Sequence, residues 1–199
     1  MTATKDIRAE MIAATAAMIA QENCALTERY STKAQNAQDR IAKVTAFFAT
    51  DRFATAAVDY KFDLKDAYKR CDKTLDRFVR VLDVLLKDSM TLGSDKDQNR
   101  YTFNLIRTLV GSVNAQVAVT KADVHATATK VETAPEFVAV SKRFMSESTA
   151  DRQSGIATYV LEMLGLLTRV KNANGSVEYK VNKNSKIYRK VCKIIASGK

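Results

Sequence analysis

The side chains that most often do chemistry are scarce in this 199-residue chain. His125 is the only histidine. That removes every metal site built on paired imidazoles and leaves a Ser-His-Asp triad resting on one residue with no local partner. On a polar helix such a histidine reads as a solvated side chain. Cys24, Cys71 and Cys192 are too far apart for a metal knuckle or a disulfide framework and read as reduced thiols. Asp95 and Asp97 read as capping or solvated carboxylates, and the other acidic residues are interleaved with basic ones without paired spacing. Phosphate-cradling glycine loops, His-Glu-x-x-His and Cys-x-x-Cys are all absent. The expectation is a non-enzyme with no cofactor and no bound metal.

The charge is more informative. The formal net charge is +10. From Gly165 onward the chain carries nine basic residues, Arg169, Lys171, Lys180, Lys183, Lys186, Arg189, Lys190, Lys193 and Lys199, against the single acid Glu178. Nearly all the excess therefore lies in the last 35 residues. Such a concentration suits a polyanion, above all the phosphates of a nucleic acid.

These residues need elements to position them. From Ser148 the chain reads as an amphipathic helix. Ile156, Val160, Leu164 and Leu167 recur at helical spacing, with Ala157 and Leu161 beside them. Ser148 is the expected N-cap, and Gly165 is the expected left-handed stop. Leu166 to Val170 and Val177 to Val181 read as two strands, the second alternating Val177, Tyr179 and Val181 with Glu178 and Lys180. Asn172-Ala173-Asn174-Gly175 between them is turn chemistry, with Asn-Gly as the two-residue hairpin signal.

Helix, glycine stop, strand, turn, strand resembles the last helix and wing of winged helix-turn-helix domains. Ile156, Leu161, Leu164-Gly165-Leu166-Leu167, the Asn174-Gly175 tip and Tyr179 carry the likeness, over the last third to half of the chain. The resemblance implies that the exposed face of this helix enters the major groove, with Ile156, Val160 and Leu164 buried. Its outward positions would be Arg152, Gln153, Ser154, Gly155, Thr158 and Tyr159. Arg152 would read guanine and Gln153 adenine, and Ser154 and Thr158 would hold phosphates or base edges. Tyr159 would anchor a phosphate or cover the core. Gly155 would allow close approach of a partner or close packing of a helix. Lys171 and the Asn172–Ser176 tip, including Asn174, would meet the neighbouring groove or backbone, and Arg169, Lys180 and Lys183 would reach phosphates. A final amphipathic helix, with Ile187, Val191, Ile194 and Ile195 inward, would present Lys186, Arg189, Lys190 and Lys193.

Upstream, an alanine-rich helix spans residues 4 to about 29, and a second runs to Phe48 with Ile41, Val44 and Phe48 inward. Phe47, Phe48 and Phe53 read as core. Leu64, Tyr68, Cys71, Leu75, Phe78, Leu82 and Leu85 form a heptad seam, with Asp63 as cap, that would pair inside the chain or in a homodimer. The run from Phe53 to Leu86 reads equally as helix-loop-helix packing or as an extra helix-turn-helix with its turn at Asp59-Tyr60-Lys61. Thr91–Asp97 is the expected linker. Beyond it come a helix with Tyr101, Leu105, Ile106, Leu109 and Val113, a strand or helix end over Asn114–Val119, and a helix start at Thr120 with Asp123. Pro135 would open a short helix carrying Phe137, Val138, Val140 and Phe144, with Met145-Ser146-Glu147 as turn. The fold expected is mainly α: a helical bundle over residues 1–93, for dimerisation or partner contacts, then a winged-helix domain with a β-hairpin wing and basic tail over 94–199. The function expected is DNA binding, in transcriptional regulation or genome handling, with double-stranded DNA as partner. A protein-docking adaptor and an RNA binder are the alternatives. No apolar run reaches the ~18 residues of a membrane span, and a cytoplasmic, genome-associated location is expected.

Overall fold

The computed structural model describes residues 2–25, 31–62, 64, 71–88, 90, 99–129, 133–141 and 144–198. The expectations placed on Asp63, Tyr68 and the Thr91–Asp97 linker lie outside these residues. The described residues form eight helices and three strands: α1 (Thr2–Ala25), α2 (Ser31–Phe48), α3 (Asp51–Tyr60), α4 (Asp72–Leu86), α5 (Asn99–Asn114), β1 (Val119–Thr120), α6 (Lys121–Ala126), α7 (Glu147–Met163), β2 (Leu167–Lys171), β3 (Val177–Val181) and α8 (Lys186–Ala196). The chain divides into two compact units, Met1–Val79 and Arg80–Lys199. The division falls within α4.

In the first unit α1 packs on α2 and α3. Alanine favours helix but covers little surface, so few large side chains close this core. Ala37, Ile41, Val44 and Phe48 line the inner stripe of α2. Phe48 packs against Phe53 with the rings tilted by 40° and their centroids 4.6 Å apart, and its centroid lies 6.3 Å from that of Phe78. Thr50 caps α3 through the Phe53 amide, and Lys61, left-handed at φ 54°, ends it. The Arg40 guanidinium donates to the buried Asp72 carboxylate at 2.5 Å, tying α2 to the first turn of α4. On α4, Leu75, Phe78, Leu82 and Leu85 are all buried, whereas Cys71 precedes the helix and is exposed. These four residues of the heptad seam are covered within the chain.

The second unit is built on α5, which buries Tyr101, Phe103, Leu105, Ile106 and Leu109. Thr120 and Asp123 form a reciprocal capping box that starts α6 directly from β1. β1 pairs antiparallel with β3, and β3 with β2, giving the order β1-β3-β2. Among the described residues, the short helix expected after Pro135 is absent. Besides one local turn bond from Val138 N–H to the Pro135 carbonyl at 2.8 Å, the backbone there bonds to distant segments: Ala139 N–H donates to Thr108 Oγ1 at 2.9 Å, and Met145 N–H to the Ala128 carbonyl at 2.9 Å. The segment also lies close on α5, because a Cβ at Gly111 would meet the Phe137 carbonyl oxygen at 2.8 Å.

α7 begins at Glu147, with Ser146 as N-cap in extended conformation, so Ser148 belongs to the first turn. Its end follows the expectation. Gly165 has φ 67°, its N–H reaches the Glu162 carbonyl at 2.9 Å, and Leu166 N–H reaches that of Leu161 at 2.9 Å. This is a Schellman closure, with the left-handed residue supplied by glycine. The β2–β3 turn is longer than the two-residue hairpin expected. Asn172 N–H donates to the Ser176 carbonyl, Gly175 N–H donates to that of Asn172, and Gly175 takes φ 77°. That makes a three-residue loop whose glycine supplies the bulge.

Candidate functional site

α7 exposes a stripe formed by Ser148, Arg152, Gly155, Tyr159 and Glu162 at helical spacing, the last three half-buried. Beside it lies β2. Arg169 Nε is 3.1 Å from Glu162 Oε1, its guanidinium carbon sits 4.7 Å from the Tyr159 ring centroid and 5.8 Å from that of Tyr179, and Nη2 donates to Thr158 Oγ1 at 3.3 Å. Burial acts to lower the Arg169 pKa; Glu162 and the Tyr159 hydrogen bond outweigh it, leaving Arg169 above its ordinary value. Burial raises the Tyr179 hydroxyl, with Arg169 opposing. Arg169 is thus a structural clamp between α7 and the sheet, and Glu162 already answers its charge. Sequence reasoning missed Glu162, because no periodic spacing links a helix residue to a strand beyond the helix stop.

Two of the residues expected to face outward do not. Ser154 and Thr158 are only 6 % and 1 % exposed. Ser154 Oγ donates to the Ala150 carbonyl at 2.6 Å and lies 2.8 Å from the Tyr101 hydroxyl, which donates to the Val124 carbonyl at 2.8 Å. One buried hydroxyl pair therefore joins α5, α6 and α7. Tyr101→Phe should destabilise the second unit by about 1–3 kcal/mol, the cost of leaving buried polar groups unserved; urea melts of the two proteins measure it, and an unchanged midpoint would refute the role. Thr158 bonds back to the Ser154 and Gly155 carbonyls at 3.0 Å. Gln153 is half-buried, and its Oε1 is shielded from solvent with no hydrogen-bond partner.

Gly155 is not there for helix packing, since a Cβ at this position would meet nothing within 4 Å. Gly155→Ala should therefore stabilise the fold by about 1 kcal/mol, the helix-propensity difference, visible as a higher urea midpoint. A loss of stability would mean that the backbone relies on glycine.

The expected phosphate contacts divide into groups. Side chains alternate across a strand. Lys171 therefore shares the sheet face of Arg169 and Tyr179, whereas Lys180 lies on the opposite face, across from Thr168. Asn172 is committed to the turn: its Oδ1 accepts from Asn174 N–H and Ser176 N–H, and its Nδ2 donates to Glu178. Asn174 is exposed at the tip, and Lys183 is exposed just after β3. Lys186, Arg189, Lys190 and Lys193 belong to α8, which Ser185 caps and which packs on α5 through the buried residues Ile187, Val191 and Ile194. Lys190 pairs with Asp88. Among the described residues, Arg152, Lys171, Lys180, Lys183, Lys186, Arg189 and Lys193 have no carboxylate partner.

His125, expected to be simply solvated, instead faces the first turns of α7. Its Nε2 lies 3.3 Å from Glu147 Oε2 and 3.6 Å from Asp151 Oδ1. With Lys121, Asp123 and Pro135 these residues line a cavity of about 620 Å³. The four-residue spacing of Glu147 and Asp151 was the only trace of it in the sequence. No group of three metal-ligating side chains occurs among the described residues, and none of the described helices is long and apolar enough to cross a membrane. Comparison with family models, with curated proteins and with solved structures gives no match.

Proposed function

We propose that the second unit is a winged-helix module that binds double-stranded DNA, and that the protein serves in transcriptional regulation or genome handling. The order helix, strand, helix, helix, strand, strand, with the first strand paired to the last, supports the winged-helix reading. The observation that carries the binding reading is the set of cations on and after the β2–β3 hairpin that have no carboxylate partner among the described residues: Lys171, Lys180, Lys183, Lys186, Arg189 and Lys193. Unpaired surface cations release counterions from a polyanion when they engage its phosphates, and affinity then falls steeply with salt. A salt titration of the purified chain against a labelled duplex, read by fluorescence anisotropy, is the test. Indifference to the duplex at low salt would sink the reading. Phe144, 50 % exposed, and Val140, 37 % exposed, in the segment before α7 favour protein docking as the second reading. Indifference to DNA together with a captured protein partner would favour it.

A further inference from the structure

We infer that this module engages duplex DNA through its phosphates and discriminates little between base sequences. The inference rests on the DNA-binding reading above and concerns what the same surface recognises. Reading bases requires side chains that carry paired donors and acceptors to the groove floor, and one good bidentate pair is worth about 5- to 150-fold in discrimination. Proteins that find specific sites reach about 10³- to 10⁷-fold, which takes several such pairs.

The outward stripe of α7 does not hold several. Ser154 is committed to Tyr101 and the Ala150 carbonyl, and Thr158 to its own helix and Arg169. Gln153 needs both its amide oxygen and its amide nitrogen to read adenine, and the oxygen is buried. Gly155 bears no side chain, and Tyr159 lies under Arg169, which is already paired with Glu162. Arg152 alone remains as an exposed long donor on the stripe with no carboxylate partner among the described residues. The cations, by contrast, are distributed over both faces of the hairpin, the turn after it and α8. Such a set can follow a backbone but cannot converge on a few base edges.

The test uses the full chain. A library of random-sequence duplexes of one length is put through rounds of selection and sequencing, and affinities are then measured on a panel spanning base compositions. The expected result is no enriched motif, affinities within about tenfold across the panel, and a steep salt dependence shared by every member. Arg152→Ala should erase what preference there is and shift the salt slope by about 1. A motif discriminated by about 10³-fold or more would overturn this inference and leave the DNA-binding reading standing. No binding to any duplex at low salt would overturn both. A preference that survives in Arg152→Ala would also overturn it, because another side chain would then be the reader.

Discussion

Reversing Lys171, Lys180 and Lys183 together to glutamate is expected to abolish most duplex binding while leaving the fold intact. All three are exposed and have no carboxylate partner among the described residues, so little native structure depends on their charge. Surface substitutions of this kind usually change stability by less than about 0.5 kcal/mol each. Each lysine that neutralises a phosphate contributes about 0.9 to the slope of log affinity against log salt. Removing three should flatten that slope by about 2.7, so the parent chain should lose about 40-fold more affinity than the variant as salt rises from about 50 to 200 mM. Reversal also adds repulsion, so the loss at low salt should exceed what neutral substitutions produce. The control is an equal change of net charge in the first unit, at the exposed Lys43, Lys61 and Lys73. If that variant loses as much as the hairpin variant, the attraction is a property of overall charge, and the local reading fails.

Phe48→Ala should unfold the first unit preferentially. Phe48 is 0 % exposed and joins α2 to Phe53 of α3 and Phe78 of α4. Truncating a buried aromatic removes its transfer free energy and leaves a cavity, at a cost of about 3–5 kcal/mol. Against typical net stabilities of about 5–15 kcal/mol that is a large share, and the alanine-rich α1 and α3 have few large side chains with which to refill the space. Circular dichroism in a urea series should show an early transition in the variant, with the remaining helix lost near the original midpoint. Duplex affinity, assigned here to the second unit, should stay within about threefold in water. A single transition displaced as a whole would mean that the two units unfold as one. Binding lost in step with the early transition would move the interface to the first unit.

Local signals in this chain suffice wherever one element is enough to produce them. The Thr120–Asp123 capping box, the Gly165 stop, the alternation in β3 and the inner stripe Ile41, Val44, Phe48 each depend on a few neighbouring residues. Their backbone consequences follow from propensity and period alone. The failures share a cause as well. Ser146 displaced Ser148 as the cap, and two serines within one turn are not distinguishable by residue type. The segment after Pro135 has a helical apolar pattern, but its amides found better partners in Thr108 and the Ala128 carbonyl, contacts that no local rule contains.

The candidate site divides along the same line. By itself the sequence determined that positive charge gathers after Gly165, that a helix and a hairpin stand next to it, and that pairs of histidines and cysteine knuckles are unavailable, because composition and period are properties of the chain. Only the tertiary structure decided which side chains those elements could offer. Ser154 lies inward against the Tyr101 hydroxyl of α5, 53 residues away, and Thr158 lies inward with Arg169 of β2 donating to it. Arg169 is paired with Glu162, and His125 has two carboxylate neighbours. Orientation about a helix is fixed by what packs against it, and packing partners distant in sequence leave no mark in the residues they bury.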